Sequence, residues 1–330
     1  MRRREFITLV GGAAAGWPLA ARAQQPGRVR RIALLMAWDE GNPEIQSWLG
    51  TLRDGLGKLG WVEGQNLHFE FRWTGTDSTL MEKAAKELVA ARPDLIISSS
   101  SPSTGMLLAQ TRTIPIVFTN IVDPVGQGFV ASLSRPGGNV TGLVNLEPSM
   151  AGKWVELLRE VVPALARAVV PIHRATSPYA NLYLDYFKST ALPLGVEIIA
   201  APADDMAAFE HIAATQEREA NTGIIPMPSG FMQGHAAEIA AITTRHRLPT
   251  IFSNRAFPAA GGLLSYGNDI TDNYRRAAVF VDRILRGEKP SELPVQFPVK
   301  FELVINLKTA KAIGLSVPPG LIATADEVIE

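Results

Sequence analysis

Cysteine is absent from the 330 residues, so the protein forms no disulfide, has no thiolate chemistry and takes no lipid through a thiol. An excess of either charge is also lacking. The 32 basic and 32 acidic side chains are dispersed along the chain, which leaves no electrostatic footprint for nucleic acid. Beyond the amino-terminal segment no apolar run approaches the ~20 residues that span a bilayer. Short-period repeats and low-complexity tracts are missing too.

Catalytic signatures are equally scarce. The five histidines (His68, His173, His211, His235 and His246) show no metal-ligand spacing, so neither a metal nor a cofactor is expected. No serine sits in G-x-S-x-G. Asp204 and Asp205 are adjacent, an arrangement that starts a helix more readily than it forms a catalytic pair. Gly126-Gln127-Gly128-Phe129-Val130-Ala131 matches G-x-G-x-x-A. The dinucleotide fingerprint, however, needs a tight strand-to-helix turn, and a proline-containing spacer separates this stretch from the preceding strand. It reads as a turn.

What is present begins with an export signal over residues 1–23. Arg3-Arg4-Glu5-Phe6-Ile7 follows the twin-arginine pattern, a glycine-rich apolar run extends to Ala20, and Ala21-Arg22-Ala23 offers a small-x-small cleavage site. Cleavage after Ala23 removes four of the 32 basic and one of the 32 acidic side chains, so 28 face 31, a net of −3. The mature chain is expected to be free and soluble in the periplasm.

About three hundred residues at 46% apolar content suffice for two lobes of about 150 residues each. Strands are expected at 31–36, 67–73, 95–98, 114–118 and 140–144, and helices fall between them. A second alternating set follows, with helices at 150–161, 181–192, 207–220 and 234–246 and strands at 168–172, 196–200, 223–227 and 249–252. Such alternation implies parallel sheets with right-handed crossovers, hence two α/β lobes facing across a cleft.

Residues 94–123 are the centre of this arrangement. Each of their two strands breaks into small polar residues at its carboxyl end, where open parallel sheets bind ligands. Ser101 is expected to cap the intervening helix, with Pro102 at its first position. The serines either serve only as caps or form half of an anion pocket at a helix N-terminus. The pattern recurs at successive strand ends: Trp38 and Asp39, then Ser99, Ser100 and Ser101, then Thr119, Asn120 and Asp123. In the second set the positions are Ser177 and Tyr179, Met227 and Ser229, and Asn254. Aromatic rings beside hydrogen-bonding groups suit a ligand with an apolar body and a polar head.

The motifs Leu59-Gly60-Trp61-Val62-Glu63-Gly64-Gln65-Asn66, Asp123-Pro124-Val125 and Ser134-Arg135-Pro136-Gly137-Gly138-Asn139-Val140-Thr141-Gly142 carry a resemblance. So do Ala260-Gly261-Gly262-Leu263-Leu264-Ser265-Tyr266-Gly267 and Lys300-Phe301-Glu302-Leu303-Val304-Ile305-Asn306. From Arg31 onward the sequence resembles the extracytoplasmic substrate-binding proteins of ABC transporters, in the group that includes tryptophan-binding members. The resemblance implies a type I periplasmic-binding-protein fold, two doubly wound parallel-sheet lobes joined by three crossing strands. It places residues 30–144 plus 267–293 in lobe 1 and residues 145–266 plus 294–330 in lobe 2. It also implies a monomer without enzymatic activity that hands a small molecule to an ABC permease in the inner membrane. A sensor feeding a receptor kinase, or an enzyme on the same scaffold, are the other readings. For an amino-acid-like ligand, the carboxylate is expected on the Ser99–Ser101 and Thr119 side. The ammonium is then expected on Asp123, Asn254 or Asp269, and related amino-acid binders tend to carry an acid at the Asn254 position. The loop Pro171-Ile172-His173-Arg174-Ala175-Thr176-Ser177-Pro178 departs from relatives and faces the cleft, so ligand identity does not transfer.

Replacing Arg3 and Arg4 by lysine should leave the precursor in the cytoplasm. Normal periplasmic recovery of that variant, measured by cell fractionation, would refute the twin-arginine assignment.

Overall fold

The computed structural model describes residues 28–330; the export signal and its cleavage site lie outside the described residues. The first sheet contains β1 (Arg30–Met36), β2 (Leu67–Trp73), β3 (Leu95–Ser98), β4 (Ile116–Ile121) and β5 (Val140–Val144). All pairs are parallel, in the order β2-β1-β3-β4-β5. Alternation along β1 divides its side chains between two faces. Ile32, Leu34 and Met36 join one buried cluster, and Ala33 and Leu35 join another. Both faces are therefore covered by helices, as near-continuous apolar strands require.

Helix α1 (Pro43–Lys58) covers the first face. Asn42 starts it by accepting from the Glu44 and Ile45 amides at 2.9 and 3.4 Å, and Ile45, Trp48, Leu49, Leu52 and Leu56 form its buried stripe. Helices α2 (Ser78–Ala90) and α3 (Ser101–Gln110) cover the opposite face. Strand β4 starts two residues later than its apolar run suggests. The Thr111 hydroxyl takes the Thr113 and Ile114 amides at 3.3 and 3.2 Å, so that stretch is a turn.

The second set comprises α4 (Met150–Val161), β6 (Arg167–Ile172), α5 (Ala180–Ala191), β7 (Glu197–Pro202), α6 (Met206–Gln216) and β8 (Thr222–Ile224). It continues with α7 (Gly230–Gly234), α8 (Ala236–Arg245), β9 (Ile251–Phe252), α9 (Ala256–Ala259) and β10 (Leu264–Asn268). Asp205 caps α6 through the Ala208 amide at 2.7 Å. The helix expected over 234–246 is α8, which starts two residues late because His235 leaves helical geometry (φ −108°, ψ 23°) and Ser229 caps a separate short turn before it. The strand expected over 223–227 is regular only to Ile224, although the Ile225 and Met227 amides still donate to the Val169 and Pro171 carbonyls at 2.9 Å across Pro226, which has no amide to pair.

After β10 the chain forms α10 (Ile270–Leu285), then β11 (Phe301–Asn306), α11 (Leu307–Ala312), α12 (Pro319–Thr324) and β12 (Glu327–Ile329). Helix α10 packs against α1 on the first sheet. The segment that follows stays there, since Gln296 exchanges backbone hydrogen bonds with Gly142 and Val144 at 3.0 and 2.9 Å. Backbone contact with the first sheet thus reaches Gln296, three residues past 293. The second sheet is β7-β6-β8 and β12-β11-β10-β9, linked by a parallel bridge from Ile224 to Thr250. It departs from the all-parallel expectation at one place, because β11 returns beside β10 antiparallel. That return follows the second crossing from the first sheet and needs no covering helix. Among the described residues no helix is long and apolar enough to cross a membrane.

Gly267 in β10 marks the closest backbone approach in the fold. A Cβ there would lie 1.8 Å from the Ser253 carbonyl oxygen. Only glycine lets the Ser253–Asn254 turn lie against β10. Gly267→Ala should therefore destabilise the protein by about 1–3 kcal/mol, as overpacking does. A urea midpoint equal to wild type would show that the turn can move away at no cost.

Candidate functional site

The carboxyl ends of β1, β3, β4 and β5 face those of β6, β8 and β9 across a cavity of about 180 Å³, lined from both sides. Trp38 follows β1 and is held by its neighbours. Its ring meets Trp48 edge-on at 6.1 Å, and Trp48 stacks on Tyr274 at 5.6 Å. The indole is 7% exposed, and its Nε1 has no hydrogen-bond partner.

The serine run after β3 is mostly spent on the backbone. Ser99 Oγ accepts from the Ala37 amide at 2.9 Å and donates to the Leu35 carbonyl at 3.1 Å, tying β3 to β1. The cap of α3 is Ser100 and not Ser101, because Ser100 is extended (φ −159°, ψ 163°) and forms a reciprocal capping box with Ser103. The Ser103 and Thr104 amides already have partners within this turn, and Pro102 has no N–H to give. Of the first turn's donors only the Ser101 amide remains for an anion. Ser99, Ser100 and Ser101 all line the cavity.

Asn120 is the penultimate residue of β4 and Asn145 follows β5; both line the cavity, and the Oδ1 of each is buried without a partner. The same side chain positions both. Asn273 in α10, 1% exposed, donates through Nδ2 to the Thr119 carbonyl at 3.1 Å and the Val144 carbonyl at 3.2 Å. Each carbonyl belongs to the residue immediately before a cavity asparagine. Asn145 was not among the sequence candidates, although it occupies the strand-end position after β5 that pointed to the others. No local signal identifies Asn273, which acts from 154 residues away along the chain.

On the opposite wall Tyr179, Ser229 and Asn254 line the cavity. The Tyr179 hydroxyl donates to the Pro228 carbonyl at 2.5 Å, and burial pushes its pKa well up, so it stays protonated. Asn254 Oδ1 accepts from the Ala256 amide at 2.7 Å. Gln233, also unforeseen, lines the cavity and donates to Glu44 Oε2 at 3.3 Å, bridging the two walls. Burial raises the Glu44 carboxyl above its usual range, although Arg255 and this hydrogen bond pull the other way.

Six sequence candidates are not in the lining. Thr119 is fully buried beneath it, its hydroxyl 3.4 Å from the Ser98 carbonyl. Met227 is core, and Ser177 is 3% exposed with an unpartnered hydroxyl. Asp39 is exposed. Asp123 braces its own turn. At φ 44° its Oδ1 accepts from the Gly126 amide at 2.9 Å, and a Cβ on Gly126 would meet Oδ2 at 2.0 Å. That requirement accounts for the first glycine of the G-x-G-x-x-A stretch. Asp269 caps α10 and pairs with Lys300 Nζ at 2.9 Å. Burial pulls its pKa up, but the lysine and the cap bond prevail and hold it below the usual range. The outcome is a cavity with no charged side chain among its lining residues. Its apolar portion includes Met81, Met106, Val122 and Ile270. No group of three or more potential metal ligands exists among the described residues.

A family model described as ABC transporter substrate binding protein matches residues 42–329. A tyrosine-binding protein of Clostridioides difficile is 23% identical over 256 residues, covering 78% of this chain and 73% of that one. Among solved structures, a conserved domain protein from Vibrio cholerae superposes with TM-score 0.84 at 26% identity, covering 91% of this chain and all of that one. A Streptococcus pneumonia ABC domain in complex with L-Trp gives 0.82 at 23% identity, covering 91% and 99%.

His173 lies behind the cavity wall. It bonds Thr176 Oγ1 at 2.8 Å, and its ring stacks on Phe231 at 4.1 Å; Thr176 lines the cavity. Burial holds its pKa below 6.5, outweighing the opposing pull of Asp204. Hydrogen bonds to Glu210 and then Glu217 raise that of His246. The stability gained by burying neutral His173 is therefore present above its ordinary value and lost as pH falls. That contributed by His246 is present below pH 6.5 and lost as pH rises through its folded pKa. An NMR titration should place the two rings on opposite sides of 6.5; coincident midpoints would contradict these environments.

Proposed function

Because the chain belongs to the ABC transporter substrate-binding protein family, we propose that it is the extracytoplasmic solute-binding component of an importer. It captures a small molecule between its two sheets and delivers it to a permease in the inner membrane. The observation that carries this reading is the cavity itself, into which the carboxyl ends of strands from both sheets converge. Family membership supports the transport role, and the twin-arginine sequence supports action in the periplasm.

Capture follows from the architecture. A ligand first meets one wall, and hinge closure at the crossing segments buries it against the other. The apolar body packs against Trp38, Met81, Met106 and Ile270. An aromatic body gains about 0.5–1.5 kcal/mol from Trp38 beyond its area burial. The Gln233–Glu44 bridge closes the rim on the bound state.

The names of the relatives favour an aromatic amino acid or a carboxylate-bearing analogue, and the apolar lining supports the aromatic half of that reading. The Ser101 amide, with the Ser101 hydroxyl, which accepts from Gln127 and keeps its own proton free, is the place for a carboxylate. An ammonium meets only neutral acceptors, the amides of Asn120, Asn145 and Asn254, because Asp123 and Asp269 are engaged in a turn and a helix cap.

Protein purified without denaturation should retain its ligand in native mass spectrometry, and calorimetry with that ligand tests the site. Trp38→Ala and Asn145→Ala should each weaken binding at least tenfold, about 1.4 kcal/mol. Asp123→Asn and Asp269→Asn should stay within about twofold of wild type. Loss of binding in the aspartate variants with none in the other two would place the site elsewhere.

A further inference from the structure

We propose that Gln127, which lies outside the cavity, is the positioning residue for the ligand's carboxylate. Its side-chain amide fixes the Ser101 hydroxyl as a donor, so that Ser101 meets the ligand with an O–H and an N–H together. This rests on the reading of the interlobe cavity as an amino-acid-like ligand site and assigns the residue that orders its carboxylate contact.

The serines after β3 differ in where their hydroxyl protons go. Ser99 Oγ donates to the Leu35 carbonyl at 3.1 Å, and Ser100 Oγ donates to Ser103 Oγ at 2.9 Å. Ser101 Oγ instead accepts, from Gln127 Nε2 at 3.1 Å. The direction of that bond is fixed by the second partner of Nε2, the Val122 carbonyl. A carbonyl only accepts, so the nitrogen of the Gln127 amide, and not its oxygen, faces both groups. The Ser101 hydroxyl keeps its own proton, which has no acceptor among the described residues. Ser101 is 4% exposed and lines the cavity, whereas Gln127 is not among the lining residues.

The Ser101 amide is the second donor. It stands at the start of α3, a ten-residue helix, where Pro102 has no N–H and the Ser103 and Thr104 amides are already bonded to Ser100. Two donors from one residue at the positive end of a helix suit a group that only accepts, and a carboxylate is such a group. Without the bond from Gln127 the hydroxyl is free to rotate, and the cost of ordering it falls on the ligand.

Gln127 is held by the turn that the G-x-G stretch forms. Asp123 Oδ1 accepts from the Gly126 amide at 2.9 Å, and the Asp123 carbonyl accepts from the Gln127 amide at 3.1 Å. The Gly128 and Phe129 amides close onto the Val125 and Pro124 carbonyls, each at 2.9 Å. Gly128 sits at φ 71°, a region that glycine enters at no steric cost. The backbone is thus fixed on both sides of residue 127, whose side chain reaches the start of α3, 26 residues away in the chain. Asp123→Asn preserves the turn, because the asparagine oxygen takes the same amide and asparagine tolerates the left-handed region.

The test is a double-mutant cycle read by calorimetry with L-tryptophan and L-tyrosine as probes. It compares wild type, Gln127→Met, Ser101→Ala and the double variant, with folding checked by circular dichroism. Methionine keeps the length of the side chain and removes its donors. Gln127→Glu is the second variant, because a carboxylate only accepts and draws the Ser101 proton away from the cavity. Each single variant should weaken the tighter probe at least tenfold. On the Ser101→Ala background, Gln127→Met should cost less than twofold more. Equal losses from Gln127→Met with and without the Ser101 hydroxyl would mark a merely structural role and overturn the proposal. Wild-type affinity in Ser101→Ala, or in both Gln127 variants, would overturn it too, and each of these results leaves the cavity as the ligand site. Failure of wild-type protein to bind either probe counts against the ligand class and this proposal together.

Discussion

Two hydrogen bonds from one buried amide hold the functional half of this molecule together. Asn273 Nδ2 donates to the carbonyls of Thr119 and Val144, the residues immediately before Asn120 and Asn145. Those strand ends would otherwise leave carbonyl oxygens unpaired in a buried setting, at a cost comparable to a lost hydrogen bond. The same helix contributes Tyr274, stacked on Trp48, which in turn meets Trp38. One helix that arrives late in the chain thus orients three of the cavity's polar groups. It also places its own Ile270 in the lining.

The distribution of charge follows a related constraint. Three acidic residues near the cleft already answer a local need: Asp123 a left-handed turn, Asp269 a helix start beside Lys300, and Glu44 a bridge to Gln233. The serines after β3 behave in the same way, with Ser99 linking two strands and Ser100 capping a helix. The cavity lining that remains is neutral throughout: asparagine and glutamine amides, serine and threonine hydroxyls, and apolar side chains between them.

The elements were legible where local periodicity is strong. β3 and β5 and helix α4 fall on their expected residues, and α1 and α2 lie between the strands as expected. The signal failed where a side chain competes with the regular pattern. Thr111 turns the residues before β4, Ser100 rather than Ser101 starts α3, and His235 delays the start of α8. The candidate site was legible in outline. Trp38, Ser99, Ser100, Ser101, Asn120, Tyr179, Ser229 and Asn254 do surround the cavity, because ligands in open α/β sheets sit beyond strand carboxyl ends and those positions can be counted. Thr119 and Met227 do not, because neighbouring residues at a strand end point to opposite faces.

By itself the sequence determined the class of the fold, the alternation that yields two facing sheets, and the strand ends that line the cavity. These depend on patterns a few residues long. Tertiary structure alone decided which polar groups at those ends stay free. Asp123 is claimed locally by the Gly126 amide, whereas the strand end that carries Asn145 is held by Asn273, 129 residues away from Val144. The reason is physical: a hydrogen-bonding group is available only if nothing nearer has claimed it, and its neighbours in space are not its neighbours in the chain.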